Sequence, residues 1–437
     1  MAFNSNMFSI ILLALLVIGT RVGGFSIYHL RRYARTAPQS GSGFQMYLDG
    51  KNGPVNPQKM TDNIRLGNLE VPSVGIGTIS WSSNKLFELE NLELQSLVNT
   101  ACSSNAAFFD TAERYGSNFK TALGMGWGDT ESMLNKFIDR SPQTNVRPIV
   151  ATKFTPTPWR TTVESVVQAC EDSCRRLGVE QIDLYQLHMP DIVQPFRMFG
   201  QEQNKDEIYW EGLAECYQRG LVKNVGVCNY GPSLLMRCQE KLAQHNVPLA
   251  SNQIAYSLIG RHDGAQETVD YCNEQGIQVL AFFPFAMGIL TGKYNSHLYN
   301  GKTIPEDALA TLTTSKKTSL EILDLKKYAI GDNEEIPTGG IGPLLTVMEG
   351  IAQQRDKTVS QVALNYIICK GAMPIPGARS SAQAMDNIGA MGWRLTNEEV
   401  GLLETAADAL GIGFDGAGFK RTSEKFVGYG VEKWSLD

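Results

Sequence analysis

The sequence predicts an α/β fold of the (β/α)8 class, a closed TIM barrel that forms a single domain with a long insertion after its seventh strand. Three observations lead there. From residue 64 onward, short β-branched or aromatic runs alternate with longer helical patterns every 25 to 40 residues or so, the signature of parallel βαβ units. The runs number eight, enough to close a sheet on itself. An open doubly wound sheet would carry G-x-G-x-x-G at its first turn, and "VGIGTISW" has G-x-G without the third glycine.

In order, the expected strands are "SVGIGTIS" (73–80), "AFFDTAE" (107–113), "PIVATKF" (148–154), "DLYQLHM" (183–189), "NVGVCNY" (224–230), "ASNQIAYS" (250–257), "IQVLAFFPF" (277–285) and "AMPIPGA" (372–378). Amphipathic segments separate them. In "TTVESVVQACEDSCRRLGV", Val163, Val166, Val167, Cys170, Cys174 and Leu177 recur at helical spacing and Gly178 marks the stop. Cys170 and Cys174 thereby share one helix face, which core packing explains. The connection from 286 to about 345 is far longer than an ordinary βα loop, and a loop of that length is expected to be functional or disordered. The barrel is expected over 59–410, with 411–437 as a C-terminal tail.

A chain of 437 residues, 43% apolar and 19% charged, suits one barrel with insertions and can bury a large core. Its charge is uneven. The first 48 residues hold Arg21, Arg31, Arg32 and Arg35 and no acid; setting these four aside takes 39 basic side chains to 35, against 45 acidic, a balance of −10. Such a surface argues against nucleic acid, and against an anionic membrane for the mature chain. The eight cysteines show no CxxC and no histidine at ligand spacing, so reduced, mostly buried thiols and no metal site are expected.

The N-terminus reads as an address. The apolar run Ile10 to Ile18 is too short to span a bilayer and fits the core of a signal peptide over 1–24, with Gly23 and Gly24 offering cleavage before Phe25. Residues 25–58 begin with an acid-free stretch rich in Arg and Ser, the composition of a transit peptide or disordered linker. Signal, Phe and basic stretch together resemble the two-part plastid address of algae with secondary plastids. A secreted or membrane-anchored protein with an unfolded stalk is the alternative.

In a parallel barrel the C-terminal strand ends share one face, and that face carries the chemistry. Strand two ends in Asp110 with Tyr115 beyond it, strand three in Lys153, strand four in His188 and strand five in Asn229; strand six carries Asn252 and Gln253. Together Asp, Tyr, Lys and His can form a tuned proton donor. A free phenol has a pKa of about 10. An ammonium at Lys153 would lower it, Asp110 would hold that ammonium charged, and His188 would orient a carbonyl oxygen. Taken singly, Asp110 also fits a cap or turn, Lys153 a solvated charge and His188 a core histidine.

These pieces resemble the aldo-keto reductase family over roughly residues 64 to 410. "FFDTAERYG", "ATKF", "DLYQLHMPD", "GVCNYG", "NQIAYS", "GILTGKY" and "IPGARSSAQAMDNIGA" occur in the family's order, and the "IPGAR" and "GWRLT" forms are closest to plastid and cyanobacterial members. The resemblance implies NADPH-dependent reduction of an aldehyde or ketone, with Tyr115 as general acid, Lys153 and Asp110 as its tuners and His188 as substrate orienter. It implies that Gly377, Arg379, Ser380, Gln383 and Asn387 bind the adenosine 2′-phosphate and adenine, favouring NADP(H). A guanidinium at a loop after the last strand suits a phosphate on physical grounds as well.

The resemblance further places Asn229 and Gln253 at the nicotinamide carboxamide and Gly75, Gly77 and Thr78 near the nicotinamide, and it implies that the 286–345 loop is a lid over the pyrophosphate with Gly288, Leu290, Gly292 and Lys293 in its opening turn. Two positions depart from the family pattern. Cys228 stands where Ser is common, and Phe283 stands before Pro284 where a small or hydroxyl residue is common; either Phe282 or Phe283 could stack on the nicotinamide. The rival function within the same resemblance is an NADPH-sensing regulatory barrel with little turnover. Trp81, Trp127 and Trp159 are candidates for an apolar pocket lining or for packing.

Overall fold

The structure, a computed structural model, describes residues 62–81, 88–104, 106–116, 127–141, 147–191, 205–262, 264–292 and 342–409. The expected N-terminal address, the C-terminal tail, Lys293 and most of the long connection lie outside the described residues. No described helix is long and apolar enough to cross a membrane, and no group of described side chains could hold a metal ion.

Eight parallel strands form the barrel: β3 (Ile76–Gly77), β4 (Phe108–Asp110), β5 (Ile149–Phe154), β6 (Leu184–Leu187), β7 (Val225–Cys228), β8 (Leu249–Ala255), β9 (Gln278–Phe282) and β10 (Ala372–Pro374). They pair in sequence order, and each lies within one of the eight expected runs, except that β8 begins one residue earlier, at Leu249. The seam closes between first and last. Gly75 N–H donates to the Pro374 carbonyl at 2.9 Å and Gly77 N–H to the Pro376 carbonyl at 3.0 Å, while Gly77 bridges Gly377 in parallel. A Cβ at Gly77 would lie 3.0 Å from the Ile375 carbonyl oxygen, so this seam calls for glycine.

Helices α1 (Glu88–Ser103), α2 (Asp129–Arg140), α3 (Val163–Leu177), α4 (Asp206–Gln218), α5 (Pro232–Ala243), α6 (Ala265–Gln275), α7 (Gly342–Arg355), α8 (Val359–Cys369), α9 (Ser381–Ile388) and α10 (Asn397–Asp408) surround the strands. The expected signals act as read in α3. Thr162 and Ser165 form a capping box at its start, and Gly178 at φ 65° ends it in the left-handed region. Cys170, Cys174 and Leu177 of this helix are buried in the core, and all eight cysteines are unpaired thiols.

A hairpin that the strand pattern did not reveal precedes the barrel: β1 (Asn63–Leu66) and β2 (Leu69–Pro72) pair antiparallel. Its Leu66 and Val71 pack with Phe108, Ala151, Leu184, Ala250, Leu280 and Met373, closing the N-terminal end of the barrel with apolar side chains. On β4, β5 and β6 the residue two positions further on is Asp110, Lys153 or Gln186. Because strand side chains repeat on one face every second residue, the barrel interior changes from hydrocarbon to polar and charged groups within one repeat.

Candidate active site

The polar layer is held together by Lys153. Its Nζ donates to Asp110 Oδ2 at 2.6 Å, to the Thr111 carbonyl at 2.8 Å and to Tyr115 Oη at 3.2 Å. An ammonium has three protons, so each has an acceptor. Burial works against this charge, but the Asp110 carboxylate and the groups around it carry the Lys153 pKa upward, and the ammonium persists throughout the neutral range. Asp110 Oδ1, in turn, accepts from Gln253 Nε2 at 2.8 Å and Gln186 Nε2 at 3.5 Å.

Tyr115 corrects one expectation. Burial pushes its phenol up to about 12, outweighing the opposing charge of Lys153, and the Asp110 charge adds to the rise. Lysine therefore limits the increase rather than producing a net decrease, and Asp110 acts on the phenol directly as well as through Lys153. The phenol holds its proton at neutral pH. Its ring meets the His188 ring edge-on, with centroids 5.7 Å apart.

His188 follows β6, with its N–H on the Phe154 carbonyl at 2.8 Å and its Nδ1 3.4 Å from Thr155 Oγ1. Burial, then the positive charges of Lys153 and Arg114, hold its pKa well below the usual histidine range. The imidazole is thus neutral at physiological pH and can donate one N–H.

Thr78 anchors the layer from β3: its backbone N–H and its hydroxyl both donate to the Asp110 carbonyl, at 2.9 and 3.0 Å. Asn229 sits just beyond β7 at φ 65°, with its N–H on the Gln253 carbonyl at 2.8 Å and its Nδ2 3.4 Å from the His188 carbonyl. Cys228 is buried beside Gln186, its Sγ 3.9 Å from Oε1, and burial drives its thiol pKa upward, so it is a neutral packing group here.

Phe282 packs against the apolar cluster inside the barrel, and Phe283, at φ 53°, meets it edge-on with centroids 5.1 Å apart. Pro284 is buried, and Gly288 and Gly292 take left-handed backbone around a 3-10 turn, Ala286–Thr291. The Leu290 side chain belongs to the core, so what it presents to a ligand is backbone.

The residues after β10 form a second cluster. Ser380 caps α9, its Oγ accepting from Gln383 N–H at 3.3 Å, and Gln383 Oε1 accepts from Arg379 N–H at 2.8 Å. The exposed Arg379 side chain makes no ion pair with a described residue. Asn387 is buried, yet its Nδ2 has no partner among the described residues. A guanidinium on the loop before α9 and a buried amide within that helix, neither partnered among the described residues, suit a ligand that brings both an anionic group and a hydrogen-bond acceptor, as an adenosine 2′-phosphate would.

Trp81 separates from the other two tryptophans. It is fully buried against Phe109 and Phe137, and its Nε1 donates to the Ala378 carbonyl at 2.8 Å, so it packs and steadies the Arg379 loop instead of lining a pocket. Trp159 is exposed, and Trp127 lies under the Arg160 guanidinium at 4.5 Å.

Four residues of this region were not singled out in the sequence: Gln186, Glu113, Thr155 and Arg160. Gln186 had a usable signal, since a polar side chain two positions after Leu184 points into a barrel interior. Glu113 and Arg160 had none, because their partnership joins two loops 47 positions apart.

Comparisons with known proteins bear on this geometry. A model of the aldo/keto reductase family matches residues 73–408. The chloroplastic pyridoxal reductase of Arabidopsis thaliana is 35% identical over 353 residues, covering 79% of this chain and 85% of that protein. A probable aldo-keto reductase of Glycine max is 27% identical, covering 78% of this chain and 88% of its own length. Among solved structures, the glycerol dehydrogenase of Gluconobacter oxydans aligns with a TM-score of 0.59 at 23% identity, covering 81% of this chain and 97% of the other. The Bombyx mori aldo-keto reductase in complex with NADP aligns at 0.53 and 21% identity, covering 79% of this chain and 93% of the other.

Proposed function

This chain belongs to the aldo/keto reductase family, and from that premise we propose that it reduces an aldehyde or ketone to the alcohol, with NADPH as reductant and Tyr115 as the proton donor. The observation that carries the reading is the Lys153 ammonium held between Asp110 and the Tyr115 hydroxyl inside the barrel mouth. Bound NADPH would supply the hydride. Arg379, Gly377, Ser380, Gln383 and Asn387 would hold its adenosine end. Asn229 and Gln253 would meet the carboxamide, beside Gly77, Thr78 and one of the two phenylalanines.

The division of work follows from the charges. Neutral His188 donates a hydrogen bond to the carbonyl oxygen and fixes its direction. Tyr115 then delivers its proton to that oxygen, and Lys153 stabilises the phenolate left behind. With its pKa pushed up to about 12, the phenol alone is a reluctant acid. What drives the transfer is the strong basicity of the alkoxide that develops as hydride arrives, together with the ammonium 3.2 Å away. Asp110 keeps that ammonium charged and in place.

The test is NADPH oxidation by the purified protein over a carbonyl panel that includes pyridoxal, because the relative from Arabidopsis thaliana bears that substrate in its name. Turnover is expected for the wild type. Tyr115→Phe should lower kcat by about 10²- to 10⁴-fold with NADPH affinity nearly unchanged; loss of cofactor affinity instead would refute the donor role. NADPH binding without turnover on any carbonyl would favour a sensing barrel. Arg379→Ala should weaken NADPH about 10- to 100-fold and NADH hardly at all, and equal weakening of both would remove the 2′-phosphate assignment.

A plastid location fits both the N-terminal composition and the chloroplastic relative. A reporter fused behind residues 1–58 should enter the plastid of an alga of that type, whereas secretion would favour the alternative.

A further inference from the structure

Beside the proposed proton donor lies a second ion pair, its carboxylate buried and its guanidinium partly so, that has no part in the proposed proton transfer. Glu113 is 1% exposed and stands between Asp110 and Tyr115 in the loop after β4. Its Oε1 accepts from Arg160 at 2.5 Å and from the Thr155 backbone N–H at 2.6 Å, and its Oε2 accepts from Arg160 at 3.1 Å. Its carbonyl accepts from Gly128 N–H at 2.6 Å.

Arg160 is equally committed. Its guanidinium also donates to the Thr155 carbonyl at 3.1 Å and lies between two aromatic rings, 4.5 Å from the Trp127 centroid and 4.8 Å from that of Phe154. Its own carbonyl accepts from Tyr209 Oη at 2.8 Å. Burial raises the Glu113 pKa while Arg160 opposes the rise.

What the pair joins gives it a role. One end is two residues from Tyr115. Between them the two residues fix both backbone groups of Thr155, Glu113 accepting from its N–H and Arg160 donating to its carbonyl; Thr155 follows Phe154 at the exit of β5, two residues after Lys153. Thr155 in turn reaches His188 Nδ1, and the Phe154 carbonyl holds the His188 backbone N–H. We infer that Glu113 and Arg160 are positioning residues for carbonyl reduction, a strut that holds the loop bearing Tyr115 at a fixed distance from the β5 exit that seats Lys153 and His188.

A strut of two charges is suited to this task. A bidentate Arg–carboxylate pair fixes direction as well as distance. Breaking it from one side leaves a buried charge without its partner, so the geometry is all-or-none rather than elastic. Misplacement by about 1 Å can cost on the order of 10²-fold in rate, and the Tyr115 to Lys153 contact, at 3.2 Å, has little slack before it ceases to be a hydrogen bond.

The inference rests on the reductase reading, and the experiment separates the two. Steady-state kinetics, NADPH affinity and melting temperature are measured for Glu113→Gln, Arg160→Gln, the double variant and Arg160→Lys. Expected are a fall in kcat of about 10- to 100-fold for Glu113→Gln with NADPH affinity within about twofold of wild type. The double variant should be no slower than the single ones, and Arg160→Lys, which keeps charge without the fork, should recover part of the loss.

Wild-type kcat in both folded single variants would overturn the strut, as would losses that simply multiply in the double variant, or a matching loss of NADPH affinity. Should Glu113→Gln fail to fold, Arg160→Lys carries the same comparison of kcat against cofactor affinity. A wild type without turnover would refute the reductase reading itself.

Discussion

The two ends of this barrel are built from the same strands and hold opposite chemistry. At the N-terminal end Phe108, Ala151 and Leu184 meet the hairpin residues Leu66 and Val71 and are apolar without exception. Two residues on, Asp110, Lys153 and Gln186 share hydrogen bonds in a buried layer. The lower layer needs only volume and shape. The upper layer needs every proton assigned, because an unpaired charge there would cost several kcal/mol. Stability and the proposed proton delivery are thus divided along the strand, which lets the mouth carry buried charge on a foundation that does not depend on it.

Substitutions can break or sharpen this contrast, and the largest effect should come from Lys153→Met. It leaves Asp110 buried without its cation, which should cost about 3–5 kcal/mol of stability, and it should also remove at least about 10² from kcat. Phe108→Ala, in the lower layer, should cost a similar 3–5 kcal/mol or so, yet leave the kcat of the folded fraction within a few-fold of wild type. Denaturant titration with kinetics on both variants checks the pair; equal losses of kcat would mean that the two layers are not independent.

The smallest effect is expected near the rim, at the carboxyl of Asp206. It is buried at the start of α4, accepting from Tyr230 Oη at 3.1 Å and from Asp191 N–H at 3.0 Å, and burial raises its pKa to about 6 from the usual 3.8. A carboxyl with a raised folded pKa loses stability as it ionises, so the wild type should weaken as pH rises from about 4 to 6. Asp206→Asn does not titrate, and its stability relative to wild type should therefore climb over that window, by about 2–3 kcal/mol in total. Unfolding curves at several pH values measure this directly, and a flat difference would mean that folding does not raise the Asp206 pKa.

The contrast also explains what could be read from the chain before its structure. The strands were legible because their β-branched and aromatic runs recur at regular intervals, and the residues proposed for proton transfer because each stands at or just past a run's end. The hairpin was missed because its strands have only four residues each, although the "LGNL" turn was in plain view. The rise in the Tyr115 pKa could not be read, since it is set by burial, which a sequence does not display residue by residue. The Glu113–Arg160 pair was invisible for a different reason: neither residue lies on a strand, and only the folded loops bring them together.

The enclosure of Lys153 has a consequence for the order of events in the proposed catalytic cycle. With its side chain fully buried and each of its three donors committed, it offers water no path to the phenolate. Tyr115 is only half-buried, so its open edge is the gate through which a spent site would be refilled with a proton. A carbonyl compound poised at that edge, or its alcohol, blocks the gate. Recharging must then wait for departure of the product. Enzyme that has bound its carbonyl compound in ordinary water and is then mixed with NADPH in deuterium oxide should accordingly complete its first turnover at the normal rate and slow from the second onward.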